Sequence, residues 1–502
     1  MQNIDTSGAL NNSETPTERT IRPMNKMQQK LSNGFYLLLS LPATAMGFAL
    51  SVQISALSWI LTTQYGLDIH QVGLVWAAGP IAGIIGQVFI GIISDKVWFM
   101  DGRRRPFILI GGVLASMMLL ALPNIDVVST SMGIESLLGI AIAIALTLDL
   151  SINISFNPTR TIIADVTPQG EKRTKGYTWM QTVSGTFGVL AYAIGAVWGN
   201  ISLIYFSVGL VFLLSVIPPF FITEPKSLSN DDDKSVDSQQ DNYGFVQILN
   251  VIQPLWGFIA YDIYAVGLQL SGVQTDHYWA EIIALIITAL LMFNTLSAKE
   301  AGLSKAQAGM VGFKKILAAH SFSWIGIQTM FVFIFAYLQD KMPSVTNDEL
   351  GKIISISFLV LSAVSAILPA LVLAPLANKI GRVKTHAICL STMAVGYAGV
   401  VMFGANHYIL YGLMAFLGIG WAAVISLPFA IMSEKVEQTK MGMYMGLFNL
   451  SVVLPQLLVS LGIGLFISKA ADKGLVFQIS AVSLAISALA WFMIKEDQPS
   501  NP

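Results

Sequence analysis

From Phe35 almost to its C-terminus the chain is a succession of apolar runs separated by short polar stretches. Each run is roughly 20 to 28 residues, long enough to cross a bilayer as a helix. Six come first: Phe35–Thr62, Gln71–Ser94, Pro106–Asn124, Gly133–Phe156, Thr178–Trp198 and Leu203–Ile222. The pattern then stops at EPKSLSNDDDKSVDSQQDNYG (Glu224–Gly244), which is charged and aperiodic, as expected of a disordered linker. Two runs follow, Val246–Ser271 and Tyr278–Leu296, then a second polar stretch at Ser297–Lys315. Six more complete the chain: Ile316–Leu338, Ile353–Leu376, Thr385–Gly404, His407–Met432, Met443–Ile467 and Leu475–Ile494. The expectation is an all-α membrane protein of fourteen transmembrane helices. Its parts are a tail (1–32), a six-helix bundle (33–223), a linker (224–315) carrying an inserted hairpin (246–296), a second six-helix bundle (316–495) and a short C-terminal tail (496–502).

Basic residues test this count, because each miscounted helix flips every later loop and cytoplasmic loops are enriched in Lys and Arg. With both termini cytoplasmic, 24 of the 28 Lys and Arg fall inside, and Lys341, Lys352, Lys469 and Lys473 fall outside. If only one of the two central segments crossed, Lys379, Arg382 and Lys384 would move outside. Val246–Leu296 therefore reads as a hairpin that enters and returns. The alternative is a pair of amphipathic surface helices, since Asp262 and Glu281 interrupt the apolar runs. The N-terminal tail, with Arg19, Arg22, Lys26 and Lys30, lacks the apolar core and cleavage site of a signal peptide.

Composition narrows the function. Charged residues make up 11% of the chain against about 25% in soluble domains, which excludes a water-soluble fold. A net charge of −1 gives no field for nucleic acid, and five histidines with one cysteine build neither a disulfide framework nor a cysteine-rich metal site. No GxxxxGK[ST] loop is present, which disfavours ATP-driven pumping, and no acidic or His/Glu motif marks a membrane enzyme. No cofactor is expected.

A degenerate internal repeat supports two related halves. GIISDKVWFMDGRRR after the second span returns as APLANKIGRVK after the eighth apolar run of the bundles, with Asp95 matched to Asn378 and Gly102-Arg103 to Gly381-Arg382. Tandem bundles with a loop at the same place in each are the layout of a transporter whose site lies between the halves at mid-membrane.

The loop residues Gly91, Asp95, Gly102, Arg103 and Arg104 resemble the signature of the major facilitator superfamily, in which an acid and arginines form a charge-paired latch. Three longer stretches resemble the sucrose-transporter family, near the glycoside-pentoside-hexuronide symporters. WAAGPIAGIIGQVFIGIISD matches at Trp76, Gly79-Pro80, Gly83, Gln87, Gly91 and Ser94-Asp95. DLSINISFNPTRTIIAD matches at Asp149, Asn153, Pro158, Arg160, Ala164 and Asp165, and MGLFNLSVVLPQLLVSLG at Gly446, Asn449, Pro455-Gln456 and Ser460-Leu461-Gly462. The resemblance implies a major facilitator fold in a bacterial inner membrane. It departs from the plant pattern at Ile334 and Ala336, which stand where acids follow the seventh-helix tryptophan. Maltose and related α-glucosides are therefore the implied substrates, ahead of sucrose.

Asp149 stands out among the bundle residues, set deep in the fourth span between Ala145, Leu146, Leu148 and Leu150. A charge at such depth costs about 2.5–3.5 kcal/mol on insertion scales, so an acid there is usually functional. Taking up a proton relieves that cost, which is what a proton-coupled carrier needs; the family resemblance links the same position to coupling. The alternative is a structural acid hydrogen-bonded to neighbouring helices. Arg160 lies about 16 Å further along a continuous helix, too far to pair with Asp149. Pro158 is expected to break the helix nearby. The gate is assigned to Asp95, Arg103, Arg104, Arg160 and Asp165, with Arg160 paired to Asp165 or to the Asp95 loop, or else serving as an ordinary positive-inside arginine.

Sugars are recognised by amides, carboxylates and hydroxyls with an apolar wall over the ring's CH face. Gln53, Gln87, Asn153, Gln328, Asn449 and Gln456 are the candidate binders, with Trp324 as the leading wall and Trp76, Tyr192 and Trp421 beside it. Any one amide could instead serve an interhelical hydrogen bond. His70, His277 and His407 fall at outer loops, where surface roles are expected. The leading reading is a symporter that carries a disaccharide with a proton by alternating access, functional as a monomer in the lipid bilayer. A sodium-coupled glycoside symporter and a non-transporting sugar sensor of the same fold are the competing readings.

Overall fold

The computed structural model describes residues 26–84, 97–168, 171–225, 245–271, 279–436 and 441–496. Apart from an isolated bridge between Phe99 and Gly102, their regular structure is helical. The first half contains α1 (Asn33–Thr63), α2 (Ile69–Ile84), α3 (Arg105–Met132), α4 (Leu137–Val166), α5 (Glu171–Trp198) and α6 (Asn200–Phe221). The insertion supplies α7 (Trp256–Ser271) and α8 (Trp279–Ser297). The second half contains α9 (Lys305–Lys341), α10 (Asn347–Leu368), α11 (Arg382–Phe403), α12 (His407–Lys435), α13 (Met443–Lys469) and α14 (Leu475–Phe492).

Twelve described helices are long and apolar enough to cross a membrane, against the fourteen expected. The other two are α2 and α7. The rest of the expected second span, with Gln87, Gly91 and Asp95, lies outside the described residues. The first arm of the insertion is interrupted at a tight turn over Gln253–Leu255, where Pro254 cannot donate a helical hydrogen bond, leaving α7 with 16 residues.

Local sequence sets the ends. Reciprocal capping boxes start α2 (Asp68 with Gln71), α9 (Ser304 with Gln307) and α10 (Thr346 with Glu349), each satisfying backbone donors that the helix cannot. The second of these corrects the expected polar stretch, since residues from Lys305 onward already belong to α9 and Lys315 is neutralised by Glu300 at 2.9 Å. Pro158 does not end its helix either. α4 runs through it to Val166, with the hydroxyls of Thr159 and Thr161 donating to the carbonyls of Phe156 (2.8 Å) and Asn157 (3.0 Å). Those hydroxyls add bonds beside the Ile154 carbonyl that Pro158 leaves without its helical donor, and such a loss is tolerated inside a membrane helix packed among others. α12 likewise runs through Pro428.

Contacts between helix ends fix the alternation. On the face carrying the N-terminal end of α1, which we call the tail side, Gln28 bonds Thr223 and Arg104 pairs with Asp165. On the far side Tyr65 donates to the Leu122 carbonyl, and Lys341 pairs with Asp472. Small residues bring helices together: a Cβ on Gly112 of α3 would lie 2.1 Å from that of Ser215 on α6. Long apolar side chains such as Leu285, Leu290 and Phe293 of α8 point outward instead.

The halves meet at their far-side ends. The Ser55 and Ser355 hydroxyls are 2.8 Å apart, Ser58 donates to the Val332 carbonyl at 2.8 Å, and the Trp59 indole donates to the Asn347 carbonyl at 2.7 Å. α2 touches α13 so closely that a Cβ on Gly73 would sit 2.6 Å from the Ser460 carbonyl oxygen.

Candidate functional site

Asp149 lies near the middle of α4. Its carboxylate accepts a hydrogen bond from the Gln53 amide at 3.1 Å, and that amide is carried on a π-helical segment, Gln53–Leu57, inside α1. One extra residue per turn re-aims side chains there, and such bulges gather at functional positions. Gly79 lets α2 pass beside the acid, because its Cβ position is 3.4 Å from a carboxylate oxygen. Asn153, one turn on, donates back to the Asp149 carbonyl at 2.8 Å. Among the described residues, no cation pairs with Asp149. The structure therefore brings Gln53, Asp149 and Asn153 together.

The second half contributes its own polar node. Gln456 of α13 donates to the Gln328 carbonyl oxygen of α9 at 3.2 Å. Asn449 lies two turns before Gln456, on the same face of α13. A rail of aromatic rings runs beside this node. Trp324 and Trp421 meet edge to face at 6.0 Å, Trp421 meets Phe331 at 5.4 Å, Phe331 meets Phe358 at 5.7 Å, and Phe358 reaches Tyr192 of the first half at 5.6 Å. Such rings present the apolar faces that cover sugar CH groups. Trp76 stands apart from the rail: its indole donates to Ser58 (2.9 Å), within the far-side closure.

The orientation of Trp324 has a cause that the pattern reading missed. Its indole N–H donates to Nε2 of His320 at 2.9 Å, and the His320 ring is stacked on Phe448 at 4.7 Å. Both His320 and His386 lie inside the second half, 2% and 0% exposed. The signal was present in the spacing, since His320 and Trp324 are one turn apart on an otherwise apolar helix.

At the tail side the expected latch is rebuilt with different partners. Asp165 is bound by Arg104 at 3.1 Å and not by Arg160, whose guanidinium lies over the Phe156 ring at 4.2 Å. Asp165 is already engaged, and Arg160 points back along its own helix toward an aromatic face that stabilises a cation. Arg103 contributes its backbone, because Glu224 accepts from the amides of Arg103 (2.8 Å), Arg104 (2.8 Å) and Arg105 (2.7 Å). This carboxylate caps the start of α3, where unpaired N–H groups and the helix dipole favour an anion. Glu224 thus belongs to the fold rather than to the linker.

The second half repeats the device. Glu496, after α14, accepts from the Arg382 amide at the start of α11, and the Arg382 guanidinium pairs with Glu434 at the end of α12. Glycines Gly102 and Gly381 leave room for the two carboxylates, each of which a Cβ would strike. The repeat seen in the loops therefore extends to four acids, Asp165 and Glu434 on one element pair and Glu224 and Glu496 on the other.

Two repeated helical bundles, joined at one face and presenting paired polar nodes at mid-depth, define a membrane transporter. Comparison with known proteins agrees: the Major Facilitator Superfamily model matches residues 39–369 and 316–502, and the chain belongs to that family. Among curated proteins it is similar to sucrose transport protein SUC4 of Arabidopsis thaliana, 22% identical over 89% of this chain and 87% of that one. Sucrose transport protein SUT2 of Oryza sativa subsp. indica is 25% identical over 84% of each. Among solved structures, a single-residue mutant of the nucleoside transporter NupG superposes with a TM-score of 0.63 at 14% identity, over 92% of this chain and 100% of that one. The xylose transporter XylE from E. coli gives 0.61 at 14% identity, over 93% and 97%. The chain is a transporter rather than an enzyme.

Proposed function

We propose that the protein is a proton-coupled symporter for a disaccharide of the α-glucoside class, maltose first and sucrose second, working by alternating access. The observation that carries this reading is Asp149, a carboxylate at mid-membrane held by the Gln53 amide with no cation paired to it among the described residues. An acid so placed is neutralised when it takes up a proton. The amides of Gln53, Asn153, Gln328, Asn449 and Gln456 then serve the sugar hydroxyls, and Trp324, with Trp421, covers the ring. Gln87 is proposed as a further sugar-binding amide and Asp95 as a gating acid; both lie outside the described residues. The names of the relatives support sucrose. Ile334 and Ala336, in place of the plant acids, support maltose.

Asp165, Arg103 and Arg104 form the gate at the tail side, with Arg160 acting from its place over the Phe156 ring, and on this reading the tail side is cytoplasmic. The closed far side is then external, and the conformation is one that releases cargo inward. On this reading the chain spans fourteen times as a monomer in the inner membrane of a bacterium. No cofactor is used beyond the coupling ion.

The test is uptake of labelled maltose and sucrose into proteoliposomes under an inward proton gradient, against a sodium gradient of equal size. Asp149→Asn is expected to retain sugar exchange and to lose accumulation. Accumulation driven by sodium alone would assign the coupling to sodium, and transport of neither sugar would overturn the disaccharide assignment.

A further inference from the structure

The inserted hairpin straddles the two halves at the place where they are closed. Tyr261 and Ala265 of α7 share one apolar cluster with Ala77 of α2 and with Leu457 and Leu461 of α13. The fit is close: a Cβ on Gly462 would meet the Tyr261 hydroxyl at 2.3 Å. Separation of α2 from α13 at the far side, which alternating access requires, must therefore break or carry along the α7 contact.

Beside Tyr261 stands Asp262, 5% exposed, with both carboxylate oxygens buried and unpartnered among the described residues. Glu281, at the start of α8, has a buried oxygen in the same condition, and both acids act electrostatically on Tyr261. Among the described residues, the surfaces packed against this face offer no compensating charge. α2 presents Leu74, Ala77 and Ile81, and α13 presents Leu457, Leu458 and Leu461. At the far-side ends of those elements the described ionisable groups are Asp68, His70 and Lys469, which act on one another. α7 itself adds only Tyr261 and Tyr264. Leaving a buried carboxylate ionised without a partner is among the costliest arrangements in a protein.

We propose that Asp262 is a second proton-binding site, separate from Asp149, whose occupancy lets the hairpin seat across α2 and α13 and hold the far side shut. With the proton bound, α7 presents a neutral face to an apolar seam. With the proton lost, an unpaired negative charge is left buried beside Tyr261 and that seam, and the hairpin lifts. The proposal does not depend on the sugar carried or on the role of Asp149.

Infrared difference spectra of the full chain in lipid nanodiscs, wild type minus Asp262→Asn at neutral pH, test the site. The expected result is a protonated carboxylic acid band that Asp262→Asn removes and that persists when sodium chloride replaces choline chloride. Absence of that band, or its loss on adding sodium, overturns the proposal in favour of an ionised acid or a cation site. Seating is read by the yield of a cross-link between Ala265→Cys and Leu457→Cys. Raising the pH should lower the yield several-fold in the wild-type background and leave it unchanged with Asp262→Asn, which mimics the protonated acid and keeps the shape. Equal pH dependence in the two backgrounds would show that Asp262 does not control the hairpin.

Discussion

Asp149 and Gln53 are separated by 96 positions in sequence, and each is legible alone as a polar group in an apolar span. Their pairing was not legible, because it depends on a π-helical segment in α1 and on the close pass of α2 at Gly79. The two nodes differ in what their loss should do. With sugar bound as proposed, Gln456→Ala removes one neutral hydrogen bond to substrate, worth about 0.5–1.5 kcal/mol. It should raise the KM for sugar uptake by roughly 3- to 10-fold while leaving the dependence on the proton gradient intact, as measured by initial rates in proteoliposomes. Packing residues respond through stability instead. Gly112→Ala would place a methyl group against Ser215 and force α3 from α6, at a cost of about 1–3 kcal/mol, seen as a lower unfolding temperature.

At the scale of elements, hydropathy located the spans well because lipid demands long apolar helices, and the capping boxes marked several starts. It failed where a charge serves the fold. Glu224 opens a run of polar residues and reads as linker, yet it closes three backbone amides of α3 from 119 to 121 positions away. Glu224→Gln should weaken that cap by about 1–2 kcal/mol and lower the unfolding temperature, whereas sugar affinity should hold. A second charged link ties α9 to the loop before α14 through Lys341 and Asp472 at 2.5 Å. The Lys341 ammonium, helped by the Gly474 amide, holds Asp472 below the usual carboxylate range. The stability it lends is therefore present above the unfolded value near pH 4 and is lost only as pH falls through the lower folded value. Acidifying the far side to about pH 5 should leave the hydrogen-exchange protection of residues 470–474 unchanged, whereas Asp472→Asn should lower that protection at about pH 5 and above.

For the whole molecule, closure at the far side rests on a few hydrogen bonds, each of modest net worth. Trp59→Ala should shift the population toward the far-side-open form by up to roughly tenfold, read as faster alkylation of a cysteine placed at Phe331 by an impermeant maleimide. Each half is also buckled shut by an acid at its own C-terminal end, Glu224 in the first and Glu496 in the second. During synthesis the first bundle cannot lock until Glu224 has left the ribosome, and it is finished before the hairpin emerges. The two halves are in this sense separate folding parcels, each sealed by its last stitch. A gene split within 226–244 should therefore yield two co-expressed fragments that reassemble into a working carrier. A cut placed just before Glu224 should leave the first parcel unsealed and prone to proteolysis.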